Sequence, residues 1–174
     1  NYDGTLDVFE SSPDLKPYFD NAYGYAVFPT VGRGGLVVGG SYGNGQVYEK
    51  GKVAGHVSLA KLSIGFQLGG QVFSEIIFLQ DKRAFDEFIS NGFEFDASAS
   101  AVVVVLGAQA QAGTAGSSAS AGLGSVSTKQ AEYGYNKGMA VFLNSLGGLM
   151  YEASIGGQKF KFKPLEKDAQ TQGL

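Results

Sequence analysis

The sequence predicts a mainly β fold, a β-rich α+β domain in which a curved antiparallel sheet closes toward a barrel or sandwich. Three observations carry this reading. The chain holds 27 Gly, 13 Phe and 9 Tyr against 2 Met and only 17% charged residues, a balance that favours short aromatic strands joined by glycine turns over helices. From Tyr23 onward, apolar runs such as "YGYAVFP", "GQVYEKG" and "VFSEIIFLQ" are punctuated by glycine. Near the C-terminus, "GGQKFKFKPL" alternates charge and phenyl ring with the period of two that belongs to a strand. At 174 residues and 44% hydrophobic content, the chain has the size of one domain with a sizeable core. Its divisions are an N-terminal helical segment over 1–20, a β domain over 21–165 and a polar tail over 166–174.

In chain order, "SSPDLKPYFDNAYG" opens with Ser12 as N-cap and Pro13 at the first helical position, which predicts a short helix ending near Gly24. Lys16-Pro17 counts against that helix, because the residue before proline is pushed out of helical geometry. A run of antiparallel strands follows. Asn44-Gly45 is read as their hairpin turn, since both residues tolerate positive φ. One helix near 82–90 interrupts the strands: Asp81 can cap it, Ala84, Phe85, Phe88 and Ile89 share a face, and Asn91-Gly92 closes it. The tract "DASASAVVVVLGAQAQAGTAGSSASAGLG", 96–124, has the small-residue composition of a linker but alternates like a strand. "VVVVL" needs burial, so the tract is expected to be mostly strands with a bend around Gly113 to Gly116. The stretch from Tyr135 to Leu165 supplies two or three closing strands.

Net charge is −3, which provides no global basic field for nucleic acid. The charge is unevenly spread. Asp3, Asp7, Glu10, Asp14 and Asp20 oppose a single Lys16 in the first twenty residues, whereas over 150–167 Lys159, Lys161, Lys163 and Lys167 outnumber Glu152 and Glu166. An anionic partner would meet the C-terminal side. The absence of cysteine removes disulfides, thiol chemistry and thiolate zinc sites. The longest apolar run, 101–108, is far too short to cross a bilayer as a helix.

Catalytic patterns are few and weak. "GGSYG", 39–43, matches the nucleophile-elbow pattern around Ser41, but that motif requires a helix after the turn, and "NGQVYEKG" continues as a strand. Ser41 is therefore read as a turn residue. His56 is the one histidine and is expected on a strand beside Ser58, with neither a nucleophile nor a metal partner. "GNGQVYEKGK" lacks the spacing of a phosphate loop, and Asp86 and Glu87 read as surface charge on the short helix. Catalytic residues: none. No metal site, cofactor or enzyme activity is expected.

The pattern that carries chemistry is Lys159, Lys161 and Lys163. On a strand these three ammonium groups share one side while Phe160 and Phe162 occupy the other. Such a stripe serves either as a solvated guard on an edge strand or as a docking surface for phosphate-bearing lipid.

Three blocks, "GYAVFPTVGRGGLVVGGSYGNGQVYEKGK", "SIGFQLGGQVFSEIIF" and "GGLMYEASIGGQKF", resemble the SYLF lipid-binding domain family, its bacterial members in particular, over about 20–165. The resemblance implies a non-enzymatic domain that binds lipid or a membrane surface, with phospholipid as partner. It implies a place in the bacterial periplasm or at the outer membrane, held by a lipid anchor outside this chain. Eukaryotic relatives bind phosphoinositides through a basic amphipathic N-terminal segment, and some bind actin. Here that segment is acidic. The lysines above rest on the strand pattern and not on the family. The alternative is a structural or protein-interaction module, with a protein partner and no specific lipid.

Overall fold

The computed structural model describes residues 2–33, 40–62, 72–104, 134–146 and 152–165. Helix α1 (Tyr2–Glu10), a 3-10 turn (Pro13–Leu15) and helix α2 (Lys16–Asn21) precede strands β1 (Gly24–Arg33), β2 (Gly40–Glu49), β3 (Lys52–Leu62) and β4 (Phe73–Leu79). Helix α3 (Lys82–Phe88) then leads to β5 (Ser100–Val103), β6 (Met139–Ser145), β7 (Glu152–Ser154) and β8 (Gln158–Pro164). The strands form one sheet of eight in the order β7-β5-β6-β4-β1-β2-β3-β8.

The mainly β class is as the composition predicts, but the sheet is mixed. β5 runs parallel to β6 and every other pair is antiparallel. A parallel pair needs a long crossover in place of a hairpin, and the span from Val104 to Gly138 provides the chain for one. The sheet is also open, not closed. Among the described residues no ladder joins β7 to β8, although these two edge strands are consecutive in sequence and are linked by 155–157 alone.

The chain between β2 and β3 corrects the hairpin reading. The turn is Lys50-Gly51, with φ of 52° and 81° at the two central positions, as a tight type I′ connection requires. Asn44-Gly45 lies inside β2. Gly45 is there because β1 presses on it: a Cβ would stand 2.6 Å from the Phe28 ring and 2.6 Å from the Val27 carbonyl. Residue 41 is likewise inside β2 rather than at a turn.

The N-terminal helical segment is broken where proline dictates. The 3-10 turn absorbs Pro13, and α2 begins at Lys16, so Pro17 falls in its first turn and costs no hydrogen bond. Ser12 occupies the cap position of the 3-10 turn without a side-chain cap bond. For α3 the capping works as read: the Asp81 carboxylate accepts from Ala84 N–H at 2.9 Å, and Ala84, Phe85 and Phe88 are buried. Of the 96–124 tract, Ser100–Val103 is strand and Val104 is buried, its N–H donating to the Leu143 carbonyl. Asp96 to Ala99 is a turn, Ser98 donating both its N–H and its hydroxyl to the Asp96 carboxylate. The remainder of the tract from 105, including the bend at Gly113 to Gly116, lies outside the described residues, as does the tail over 166–174.

Two apolar layers sandwich the centre of the sheet. Leu6, Phe9, Leu15 and Tyr18 from the N-terminal segment pack on Val27, Tyr48, Ile76, Phe78, Ala140 and Phe142. On the opposite face Ala26, Phe28, Ile77, Leu79, Val141 and Leu143 meet Phe85 and Phe88 of α3, with Leu59 and Phe160 from the far strands. This explains why β4 and β6 read as nearly unbroken apolar runs: both of their faces are covered. β8 alternates instead, because only one of its faces is covered.

Candidate functional site

Residues directly opposite in a sheet ladder point to the same face, so register alone assembles a surface from β2, β3 and β8. Gln46, His56 and Lys163 fall in one row, Asn44, Ser58 and Lys161 in the next, and Tyr42, Ala60 and Lys159 in a third. These rows lie on the face that α1 and α2 cover elsewhere. The start of α1 reaches this wing only at its margin, through Tyr2, and Asn44, His56, Ser58, Lys159, Lys161 and Lys163 are all exposed. Phe160 and Phe162 point the other way, into the inner layer.

The structure separates the three lysines. Lys159 sits beside Glu94, with its ammonium 3.7 Å from the carboxylate, at the edge where the 91–95 segment runs along β8. Lys161 and Lys163 line a groove of about 390 Å³ together with Asn44, His56, Ser58 and Tyr2. Tyr2 opens α1, and its ring centroid is 6.5 Å from that of His56, so the start of an acidic helix forms one rim. The groove thus offers two ammonium groups, an imidazole, a hydroxyl and an amide within adjacent rows, strands being about 4.8 Å apart. This set suits an anionic oxygen-rich group. Among the described residues no cluster of three His, Asp or Glu could hold a metal ion.

Sequence reasoning recognised the alternating lysines but not Asn44, and it left His56 and Ser58 as a strand pair without a role. Their shared parity was the available signal. What brings them to Lys161 and Lys163 is a register between segments about a hundred residues apart, which no local pattern encodes.

The outer edge of β8 is not bare. Asn91 Oδ1 accepts from Phe162 N–H at 2.7 Å, and Phe95 N–H donates to the Gln158 carbonyl at 3.1 Å. The segment after α3 therefore blocks the edge, and the lysines are not needed there to deter strand pairing. No helix among the described residues is long and apolar enough to cross a membrane.

Two comparisons with known proteins bear on this face. The chain matches the family model Ysc84, described as Las17-binding protein actin regulator, over residues 60–161. It is 30% identical over 155 residues to Beta cell expansion factor A of Aeromonas veronii, the match covering 88% of this chain and 51% of that protein. The chain thus spans about half the length of the curated relative it matches. The family match takes in β4 to β7 and the first four residues of β8, and so includes Lys159 and Lys161, while Asn44, His56, Ser58 and Lys163 lie outside it. With a family model covering more than half of its length, the chain belongs to the Ysc84, or SYLF, family.

Proposed function

We propose that the domain binds membrane surfaces without catalysis, docking phosphate-bearing anionic lipid headgroups on the β2–β3–β8 face. The observation that carries this reading is the exposed groove that sets Lys161 and Lys163 beside His56, Ser58 and Asn44 with no carboxylate among its lining residues. Each lysine near an anionic surface contributes about 1 kcal/mol. The blocked β8 edge supports the reading too, because it removes the need for lysines as guards. The location that goes with it is the bacterial cell envelope, at the periplasm or outer membrane, which cell fractionation tests.

Co-sedimentation with neutral and anionic phospholipid vesicles is the direct experiment. The wild-type chain should pellet with anionic vesicles and be released by salt. Lys161→Gln with Lys163→Gln should lose about 2 kcal/mol, roughly 30-fold in affinity, and much of the salt dependence. Equal binding by the double variant at low salt overturns the proposal. The family description, Las17-binding protein actin regulator, favours a second reading in which the same face meets a protein. In that case vesicles of either charge leave the chain in the supernatant.

A further inference from the structure

Inside the curl of the sheet, where its two edge strands meet, lies a polar cluster that the outer face does not use. Glu75 is the one acidic residue in the apolar run of β4, and it is completely buried. It points into the inner layer between Phe28 of β1 and Leu143 of β6, its ladder partners. Gln158, the first residue of β8, is 2% exposed and donates its Nε2–H to Glu75 Oε1 at 3.0 Å. Lys61, at the end of β3 and 6% exposed, donates its ammonium to the Ser154 carbonyl of β7 at 2.7 Å. Four strands, including both edges of the sheet, are thereby tied at one corner.

Two atoms of this cluster have no partner: Glu75 Oε2 and Gln158 Oε1 are both buried and both lack a hydrogen bond. Both are acceptors if Glu75 is a carboxylate, and leaving two buried acceptors unfilled on bonded neighbours is costly. A single proton on Glu75 removes both defects. A carboxylic acid facing a carboxamide forms two reciprocal hydrogen bonds, the acid O–H donating to the amide carbonyl and the amide N–H donating to the acid carbonyl. The second of these is already in place.

We infer that Glu75 is held as a neutral carboxylic acid that donates from Oε2 to Gln158 Oε1, so that a proton clasps β8 to β4 across the inner layer of the open sheet. The proton is taken from water on folding and returned to water when the clasp releases. Every charge that faces the group can be named. Phe28 and Leu143 are apolar, Gln158 is neutral, and Lys61 is the one charge acting on Glu75 among the described residues. Lys61 favours the carboxylate, as does the Gln158 hydrogen bond, but burial outweighs both and pushes the Glu75 carboxyl up from 4.5 to about 7. Burial also pushes the Lys61 ammonium down, which again shows desolvation exceeding mutual attraction.

The direction of the pH effect follows. The folded state holds this proton more tightly than the unfolded chain, so the stabilisation is complete below the unfolded pKa near 4.5. It is lost as pH rises through about 7 and is constant above that. Glu75→Gln keeps both reciprocal bonds through its own amide and removes the titration. Thermal unfolding of both proteins across pH should therefore show the wild-type Tm falling relative to Glu75→Gln by roughly 5–10 °C between about pH 5 and pH 8. Infrared spectra of the wild type should show a carboxylic-acid C=O stretch that persists at about pH 6, where ordinary Asp and Glu are ionised, and disappears with a midpoint near 7. That measurement needs no variant and stands if Glu75→Gln does not fold. Parallel Tm profiles, or the absence of a protonated-acid band at about pH 6, would overturn the inference.

Discussion

The centre of the sheet and its β2–β3–β8 wing are built from the same alternating strands, yet they present opposite surfaces. In β4 and β6 both parities are buried, because α1 and α2 cover one face and α3 with the curled sheet covers the other. In the wing the inner parity is buried, through Val47, Val57, Leu59 and Phe160, and beyond Tyr48, which the N-terminal segment still covers, the outer parity carries Asn44, His56, Ser58 and the lysines. Among the described residues this stretch of the sheet's face is left uncovered by α1, α2 and α3, and it carries polar and cationic groups. The polar, cationic face proposed above as the docking surface arises where a covering layer ends.

The largest test of the contrast is Phe78→Ala at the centre. Phe78 packs against Tyr18, Phe19, Tyr25 and Phe142 on the helix-covered face, with ring centroids 4.9–6.1 Å away. Removing it should cost about 3–5 kcal/mol by denaturant unfolding. Leu59→Ala, on the inner face of the wing and 1% exposed, should cost about 2–5 kcal/mol despite lying next to exposed Ser58. A near-zero cost would mean that the wing does not share the core. Ala99→Phe sharpens the inner layer from the other side of the curl. Ala99 is half-buried against it, and the larger ring should overpack at about 1–3 kcal/mol. The smallest effect on stability should come from Lys161→Gln with Lys163→Gln, within about 0.5 kcal/mol, although this pair should have the largest effect on vesicle binding. A substantial loss of stability in that double variant would show that the outer face of the wing is covered after all.

Much of this architecture can be read locally. The strand runs, the Asp81 cap and the opposite directions of Lys161 and Phe160 follow from period, propensity and capping within a few residues. Ser12-Pro13 marked a helical start, but Lys16-Pro17, read as a signal against the helix, lies in the first turn of α2 with Lys16 in helical geometry, because a proline at the second position displaces no helical hydrogen bond. The turn at Lys50-Gly51 was missed because Asn44-Gly45 has the better turn chemistry in isolation. Contact between Gly45 and Phe28 of the neighbouring strand overrides that preference.

The clasp at Glu75 had a visible sign, an acid in the middle of "FSEIIFL", but no sign of its partner. Gln158 lies 83 residues away, and Lys61 reaches Ser154 across 93. By itself the sequence determined the fold class, the strand alternation and the cationic strand, because each depends on side-chain period and backbone sterics acting over one or two turns of chain. Tertiary structure alone decided the parallel β5–β6 pair, the meeting of the two sheet edges and the company that Lys161 and Lys163 keep. Those depend on ladder register and on the curl of the whole sheet, quantities set by the summed packing of both apolar layers and not by any one segment.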